Sequence, residues 1–498
     1  MSSHPPSSNP NTPQSTSETE LIQLRRKKID YWKQHGYDPF GKAFPGILPI
    51  QKILDTFTPE SPAKAAGRVI AFRDMGKSIF GHIQDETGKI QFYANLQSLG
   101  EKLEHFRQLD LADWIGIEGT LFITKTGERT IRVRHFLPMG KAIRPLPSLW
   151  HGLHDPETRY RQRYLDLAIN RSATDTLIKR SRIIKAIREF FDQEGFLEVE
   201  TPMMQSIAGG AAAQPFVTHH NALNIPLFLR IAPELYLKRL LVGGFTKIYE
   251  INRNFRNEGI SRKHNPEFTM LEAYWAFADY TMMATLVEKL ITQLAQQLYS
   301  SFIIPPLRDE AGNPKSDPID LTPPWPQKSY RQCIEEVAGK DWYALNTEAQ
   351  RARCAELGVE ILPHHTAAEY TQIVFEKLVE AKTINPLFVT HLPKELVPLA
   401  KQNSENPDCV DVFELIINRQ EIAPGYTELN DPITQRRRLE EQAGEEIQKI
   451  DEDFLLALEH GMPAAGGIGI GIDRLVMMFT RSESIRDVIA FPLMRPKN

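Results

Sequence analysis

Cysteine is nearly missing from this chain of 498 residues: only Cys333, Cys354 and Cys409 are present, and no two lie within four residues of each other. That spacing excludes a disulfide framework and a Cys-rich zinc site, and reduced, mostly buried thiols are expected. No uncharged apolar run approaches the roughly 18 residues that a membrane span needs. The opening stretch, Met1 to Glu20, is rich in Ser and Pro and has no Lys or Arg. It lacks both the basic start and the apolar centre of a secretion signal, so a cytoplasmic chain with no membrane partner is expected. Neither sign of charge dominates: 59 Lys plus Arg face 63 Asp plus Glu, a formal net charge of −4. With 41% hydrophobic and 24% charged residues, disorder throughout is excluded and roughly two to four domains with proper cores are expected. The charge is unevenly spread, +5 over residues 1–150 and −9 over the remainder. A mildly basic front suits a polyanion partner, although solvated surface charge alone produces such an imbalance.

Residues 1–20 are expected to be a disordered tail. Leu21 to Gly36 reads as a helix whose basic cluster, Arg25 to Lys28, either touches phosphates or forms a solvated face. From Ala66 to Phe136 the pattern changes to short alternating apolar runs: Arg68 to Phe72, Ile79 to Gln84, Ile90 to Tyr93, Ile115 to Phe122 and Thr130 to Phe136. Turn signals at Glu86-Thr87-Gly88 and Thr126-Gly127 separate them, and five strands of this size predict a small closed barrel. Lys141 to Asp155, punctuated by Pro145, Pro147 and Gly152, reads as a linker and places a domain boundary near residue 150. Beyond it, Leu177, Ile178, Ile183, Ile184, Ile187, Phe190 and Phe191 recur at helical spacing, predicting an amphipathic helix that stops at Gly195. Phe196 to Thr201 then alternates as a strand. A Pro-rich break at 304–326 precedes a mainly helical stretch from Tyr330 to about Gln402, read as an insertion between strands. Helices and hairpin-like strands mixed in one large unit give an α+β fold class with a mainly antiparallel sheet.

Three stretches carry chemistry. In Lys247 to Glu258 the two-residue period of a strand puts Ile248, Glu250, Asn252, Asn254, Arg256 and Glu258 on one face, too polar for a core. After a loop holding Arg262, Lys263 and His264, a second strand places Phe268, Met270, Glu272 and Tyr274 together, so the two read as an antiparallel hairpin. A solvent-facing surface laced with salt bridges gives the same alternation. The mixture of cation, aromatic plate and carboxylates also suits a phosphate, a flat base and an ammonium. In the run 466–478, Ile468, Ile470 and Ile472 point one way, while Gly467, Gly469 and Gly471 leave the opposite face bare at a cost in strand stability. Something must come close to that backbone, a ligand or another packed layer. A helix starting near Asp473 sets Arg474 at its positive end, which favours an anion. The glycines make neither a P-loop, for want of Gly-Lys-Ser/Thr, nor a GxGxxG dinucleotide turn. Finally, Glu414 sits on the minority face of an apolar strand and Glu421 follows a predicted turn. Two carboxylates in one pocket beside arginines suggest Mg²⁺ ligands, with a surface Glu pair as the bland option. Glu428, Glu234 and Glu272 add acidic groups able to receive a cationic substrate.

These residues resemble a known family, the class II aminoacyl-tRNA synthetases, and within it the bacterial-type lysyl-tRNA synthetases. Phe-Leu-Glu-Val-Glu-Thr-Pro (196–202) matches motif 1. Phe-Arg-Asn-Glu-Gly-Ile (255–260) through His-Asn-Pro-Glu-Phe-Thr (264–269) matches motif 2, and Gly-Ile-Gly-Ile-Gly-Ile-Asp-Arg (467–474) matches motif 3. Ala-Pro-Glu-Leu-Tyr-Leu-Lys (232–238) is also typical, and the likeness runs from about residue 21 to 496. The resemblance implies an N-terminal helix and OB-fold anticodon-binding barrel (21–150). A class II catalytic domain (151–498) follows, with an antiparallel sheet flanked by helices and a helical insertion around 330–402. It implies ATP-dependent activation of L-lysine and transfer to the 3′ end of tRNA(Lys), in a homodimer joined through motif 1, with Mg²⁺ and no zinc.

Carried over residue by residue, the resemblance makes Arg256 the bridge between substrate carboxylate and α-phosphate. Glu258 meets the adenine amino group, Phe268 stacks on the ring, Arg474 covers its other side, and His264 contacts phosphate. Glu414 and Glu421 match the metal-binding carboxylates. Glu234 and the Gly209-Gly210 backbone hold the α-amino group of lysine; Glu272, Tyr274 and Glu428 receive its ε-ammonium, and Tyr426 packs on the aliphatic stem. In the barrel, Arg73, Phe80, Gln91 and Glu128 fall where the family reads the anticodon, with core packing the alternative for Phe80. Two departures stand out. Pro424-Gly425-Tyr426-Thr427-Glu428 replaces the usual Asn-Gly-Phe/Tyr-Ser/Thr-Glu, and Asn418-Arg419 replaces a common Gly-Gly. Two rival functions share these residues: a lysyl transferase acting on a protein, whose known forms lack the barrel, and a catalytically silent tRNA-binding protein, which has no chemical need for the full set.

Overall fold

The computed structural model describes residues 17–147, 153–211, 213–309, 311–362, 365–394, 396–397, 400–443 and 450–496. They form two units, residues 1–174 and 175–498. In the first, Ser17 starts the helix Glu18–Gln34: its hydroxyl accepts from the Glu20 amide, and the Glu20 carboxylate accepts from the Ser17 amide at 2.8 Å. This capping box begins the helix three residues ahead of the expected Leu21. Residues 17–20 of the predicted disordered tail thus belong to this helix and its cap, and residues 1–16 lie outside the described residues. Half of the basic cluster is internal. The Arg25 guanidinium donates to the carbonyls of Ala142 and Arg144 at 3.0 and 3.2 Å, and Lys28 pairs with Asp110 at 2.8 Å. Arg26 and Lys27 are exposed.

All five predicted strands form: β1 (Pro62–Asp74), β2 (Ser78–Gln84), β3 (Lys89–Asn95), β4 (Trp114–Ile123) and β5 (Arg129–Gly140). They close in the order β1-β2-β3-β5-β4, with β3 and β5 parallel and the other pairs antiparallel. Closure leaves no free edge and lets one face of every strand turn inward. Val69, Ile79, Ile83, Phe92, Ile117, Ile131 and Val133 fill the interior, and Trp32 of the first helix joins them. The start of the predicted linker is tied down: the Lys141 ammonium, buried with Asp113, donates to it at 2.7 Å and also to Asp110. Residues 148–152 of that stretch lie outside the described residues.

In the second unit the helix Arg171–Gln193 presents Ile183, Ile187, Phe190 and Phe191 to the core. Strands β6 (Leu197–Glu198), β7 (Met204–Gln205), β8 (Val217–His220), β9 (Ile225–Leu229), β10 (Lys247–Phe255), β11 (Glu267–Ala276), β12 (Ile303–Ile304), β13 (Ile319–Asp320), β14 (Gln327–Ser329), β15 (Leu387–Thr390), β16 (Val412–Ile417), β17 (Gln420–Thr427) and β18 (Ala465–Gly471) follow. Eight of them make one sheet in the order β14-β15-β16-β17-β18-β11-β10-β6, antiparallel except at its two ends. β7-β9-β8 and β12-β13 form small separate sheets. The strand expected over 196–201 shrinks to β6. The sheet is covered on one face by the helices Arg171–Gln193, Tyr280–Tyr299 and Ile472–Thr480, whose apolar stripes share one core with Leu271, Ala273, Ile468 and Ile470. Its other face carries the polar residues. The stretch 330–402 holds helices Tyr330–Ala338, Thr347–Glu356 and Ala367–Val374 around Trp342, Cys354 and Tyr370, but β15 within it joins the main sheet. Cys333 and Cys354 are buried and Cys409 is half-buried. Among the described residues, no helix is long and apolar enough to cross a membrane.

Replacing Lys141 with Met removes the ammonium from two carboxylates, one of them buried. Loss of a buried pair member costs about 3–5 kcal/mol, so amide hydrogen exchange in β4 and β5 should accelerate accordingly. Unchanged exchange would show that the clamp contributes nothing.

Candidate active site

β10 and β11 are the predicted hairpin, and their register sets the site: Asn254 lies opposite Phe268, Asn252 opposite Met270 and Glu250 opposite Glu272. Glu250 is already neutralised, since Arg230, itself buried, donates to it at 2.7 Å. Beyond the end of β10, the Arg256 amide donates to the Pro266 carbonyl at 2.8 Å, closing the loop and setting the guanidinium 5.1 Å from the centre of the Phe268 ring. Among the described residues its buried Nε has no hydrogen-bond partner. Burial pulls the Arg256 pKa down, against the pull of Glu258 and Glu272, but an arginine stays charged.

A cavity of about 350 Å³ opens here, lined by Arg256, Glu258, His264, Phe268, Glu421, Tyr426 and Arg474 among others. The Arg474 guanidinium donates to the Glu421 carbonyl at 3.1 Å and meets His264 Nε2 at 3.3 Å. Because a guanidinium only donates, Nε2 must accept, which leaves the imidazole proton on Nδ1, 2.8 Å from Ser261 Oγ. Burial foremost, then Arg474, lowers the His264 pKa, so the ring is neutral. Asp473 anchors this corner: it accepts from Arg180 at 2.5 Å and from the Thr269 amide at 2.7 Å, tying the helix after β18 to β11. Sequence reading placed Asp473 only as the start of a helix.

Deeper, the predicted acidic residues come together. Glu272 and Glu428 are 6% and 3% exposed. The Tyr274 hydroxyl donates to Glu272 at 3.2 Å. Burial pushes Glu272 up to about 8 and Glu428 up to about 7, the latter opposed by Lys238. The bare strand explains itself here: a methyl group on Gly467 would run into the carboxylate of Glu428 and the ring of Tyr274. The close approach expected at the glycines is therefore made by side chains of the pocket. Gly210, at φ +86°, sits against Glu234, where an added Cβ would lie 3.1 Å from the Glu234 Cβ. Sequence reading quoted Lys238 as part of a typical run and missed its role: 1% exposed, it donates to Glu234 at 2.7 Å and lies 2.6 Å from Glu428. Its position four residues after Glu234 on one helix was the available signal. Burial pulls its pKa down, and the two carboxylates more than reverse that.

Glu414 on β16 and Glu421 on β17 feel each other. Burial, then the charge of Glu421, then Glu380 and Glu376, push Glu414 up to about 8. An oxygen-only pair holding excess negative charge fits a hard divalent cation. Among the described residues no group of three or more His, Cys, Asp or Glu is poised to hold a metal, so water and phosphate oxygens would complete the shell. In the barrel unit a second cavity, about 470 Å³, is lined by Arg73, Phe80 and Gln91 together with His82 and Phe72. Phe80 is half-buried and stands outside the barrel core, 4.7 Å from Tyr93. Glu128 does not line that cavity; it pairs with His82 at 3.0 Å.

Comparison with known proteins gives two family matches. Residues 155–495 match the tRNA synthetases class II (D, K and N), and residues 63–139 match the OB-fold nucleic acid binding domain. The chain belongs to the class II tRNA synthetases. It is 50% identical to the protein named lysine–tRNA ligase from Carboxydothermus hydrogenoformans over 96% of this chain and 99% of that one. A lysine–tRNA ligase from Pelotomaculum thermopropionicum is 50% identical over 96% and 95% of the two chains, and one from Syntrophomonas wolfei 48% over 96% and 98%. Membership of this class assigns the first unit's barrel to nucleic acid and the second unit's sheet to aminoacyl transfer.

If Gly467 is bare to admit the pocket carboxylate, Gly467→Ala should lower stability by about 1–3 kcal/mol through overpacking. Gly469→Ala should cost less, because its added Cβ meets only the mobile Met270 methyl, at 3.1 Å. Denaturant unfolding of both variants checks the order.

Proposed function

We propose that the chain is a lysine–tRNA ligase, which activates L-lysine with ATP to lysyl-adenylate and transfers the lysyl group to the 3′ end of tRNA(Lys). The observation that carries this reading is the meeting of two unlike halves. The cavity beside Arg256, Phe268 and Arg474 suits a nucleotide, and the pocket of Glu234, Glu272 and Glu428 suits an amino acid with two ammonium groups. The three lysine–tRNA ligases matched over nearly their whole length support it. A protein acceptor is disfavoured by the anticodon-type barrel.

In the first step an oxygen of the lysine carboxylate attacks the α-phosphorus, and the bond to the departing diphosphate breaks. In the second, a ribose hydroxyl of the tRNA attacks the carbonyl carbon and AMP leaves. Both reacting groups of the first step are anions, so neutralisation and alignment supply most of the acceleration. Arg256, with a buried Nε lacking any protein partner, bridges carboxylate and α-phosphate. Phe268 stacks on the adenine, Arg474 covers its other side, Glu258 takes the adenine amino group, and His264 contacts the phosphates. Glu234 and Gly210 hold the α-ammonium, Glu272, Tyr274 and Glu428 the ε-ammonium, and Tyr426 the stem. Glu414 and Glu421 would hold Mg²⁺, whose charge would help neutralise the triphosphate. Arg73, Phe80 and Gln91 face the anticodon, and Glu128, which does not line their cavity, acts there through its pairing with His82. The enzyme works in the cytoplasm as a homodimer joined at motif 1, where Leu197 and, just after the motif, Met203 and Met204 are exposed apolar side chains.

ATP–pyrophosphate exchange across amino acids tests the assignment: lysine should stimulate it, and stimulation by aspartate or asparagine with none by lysine would remove it. Arg256→Ala should lower kcat/KM by about 10²–10³-fold with the fold unchanged by circular dichroism. The pH dependence follows from the two raised carboxyls. Protons held by Glu272, up to about 8, and Glu428, up to about 7, compete with the arriving ammonium groups. The KM for lysine should therefore fall as pH rises through about 7 to 8 and level off above, while the KM for ATP stays flat. A lysine KM that ignores this window would place the ammonium groups elsewhere.

A further inference from the structure

Lys238 is the one cation among the described residues paired with the pocket carboxylates. The neighbouring cations are committed elsewhere, Arg230 to Glu250 and Arg239 to Asp451. Its ammonium takes one oxygen from each partner, Oε1 of Glu234 at 2.7 Å and Oε2 of Glu428 at 2.6 Å. The other oxygen of Glu428, Oε1, lies over bare Gly467, and among the described residues Glu272 is held only by the Tyr274 hydroxyl. Once all three carboxylates are ionised, the single ammonium leaves two negative charges uncompensated. Two is the number of ammonium groups on lysine, its carboxylate being met by Arg256.

Resting on the ligase reading above, we propose that Lys238 is a specificity-determining positioning residue. It fixes Glu234 and Glu428 by one oxygen each and turns the second oxygen of each toward the substrate. It also sets the pocket's charge to match a diammonium amino acid rather than a monoammonium one. The helix Glu234–Val242 makes this possible: Glu234 and Lys238 stand one turn apart on the same face. Lys238 is 1% exposed, so solvent does not compete for its bonds. Without it, three carboxylates would crowd a closed pocket and take up protons in place of ammonium groups. Lys238 touches no reacting atom; it acts through Glu234 and Glu428.

The test is lysine-dependent pyrophosphate exchange by the full chain carrying Lys238→Met, which keeps length and removes charge. The KM for lysine should rise at least about 30-fold, as for loss of a buried charged partner, with the KM for ATP within about twofold; Lys238→Arg should recover part of the loss. A folded Lys238→Met with unchanged lysine KM overturns the inference while leaving the ligase reading intact. An unmodified chain that exchanges with other amino acids and not lysine overturns both. Should Lys238→Met fail to fold, a structure of the unmodified chain with L-lysine and an ATP analogue decides. The inference holds if Lys238 keeps both carboxylates while the substrate ammonium groups share them, and it falls if the substrate displaces Lys238.

Discussion

Carboxylates are costly to bury, and the catalytic unit buries Glu250, Glu272 and Glu428 in one pocket region, with Glu234 at its rim. The surrounding structure offsets that cost group by group. Glu250 has Arg230, Glu428 and Glu234 share Lys238, and Glu272 has only a phenol. An isolated buried carboxylate in such surroundings neutralises itself by taking a proton, and the raised pKa of Glu272 is that tendency. Incomplete compensation is what gives the pocket an appetite for cations. The same incompleteness requires space, and the space comes from Gly467, whose missing side chain lets Glu428 and Tyr274 lie against the strand.

A sheet holds this arrangement better than loops can. Glu272, Tyr274 and Phe268 are placed by the ladder between β10 and β11, and β18 pairs with β11 so that Gly469 lies opposite Glu272 and Gly467 opposite Tyr274. One face of these strands seals the apolar core and the other carries charge, so a shift of register by one residue would bury the charges and expose the core. Asp473 adds a cross-tie, because it binds both Arg180 and the Thr269 amide. Arg256 stands where the anionic pocket meets the cationic cavity, pulled one way by Glu258 and Glu272 and the other by Arg474.

Local periodicity made much of this legible in the sequence. The barrel strands, the hairpin over 247–274 and the glycine alternation all announce themselves by a period of two, which short-range sterics impose whatever surrounds them. Contacts distant in sequence were not legible. Lys238 reads as one more charged residue on an amphipathic helix until folding brings Glu428 to it. Arg25 and Lys28 read as a basic cluster until carbonyls of 142 and 144 and the carboxylate of Asp110 claim them. β15 was hidden because four residues, Leu387 to Thr390, are too few to distinguish a strand from part of a helical stretch.

The two departures from the family pattern meet opposite physical consequences. Pro424 lies opposite Glu414 on β16, but pairing of β17 with β18 begins only at Gly425, so the missing amide falls outside that ladder. Its ring lines the cavity where the family commonly has a polar amide, beside the Arg256 guanidinium. Asn418 and Arg419, at φ +54° and +64°, form a tight turn in the left-handed region that Gly-Gly occupies freely. Asn tolerates that region; Arg is strained by roughly 1–2 kcal/mol. The turn is held by donation from the Asn418 and Arg419 amides to the carbonyls of Ile384 and Thr383 at 2.9 and 2.6 Å. The Lys263 ammonium then donates to the Arg419 carbonyl at 3.0 Å. That last bond connects the strained turn to the loop bearing His264, and Lys263 and His264 line the cavity that neither Asn418 nor Arg419 lines.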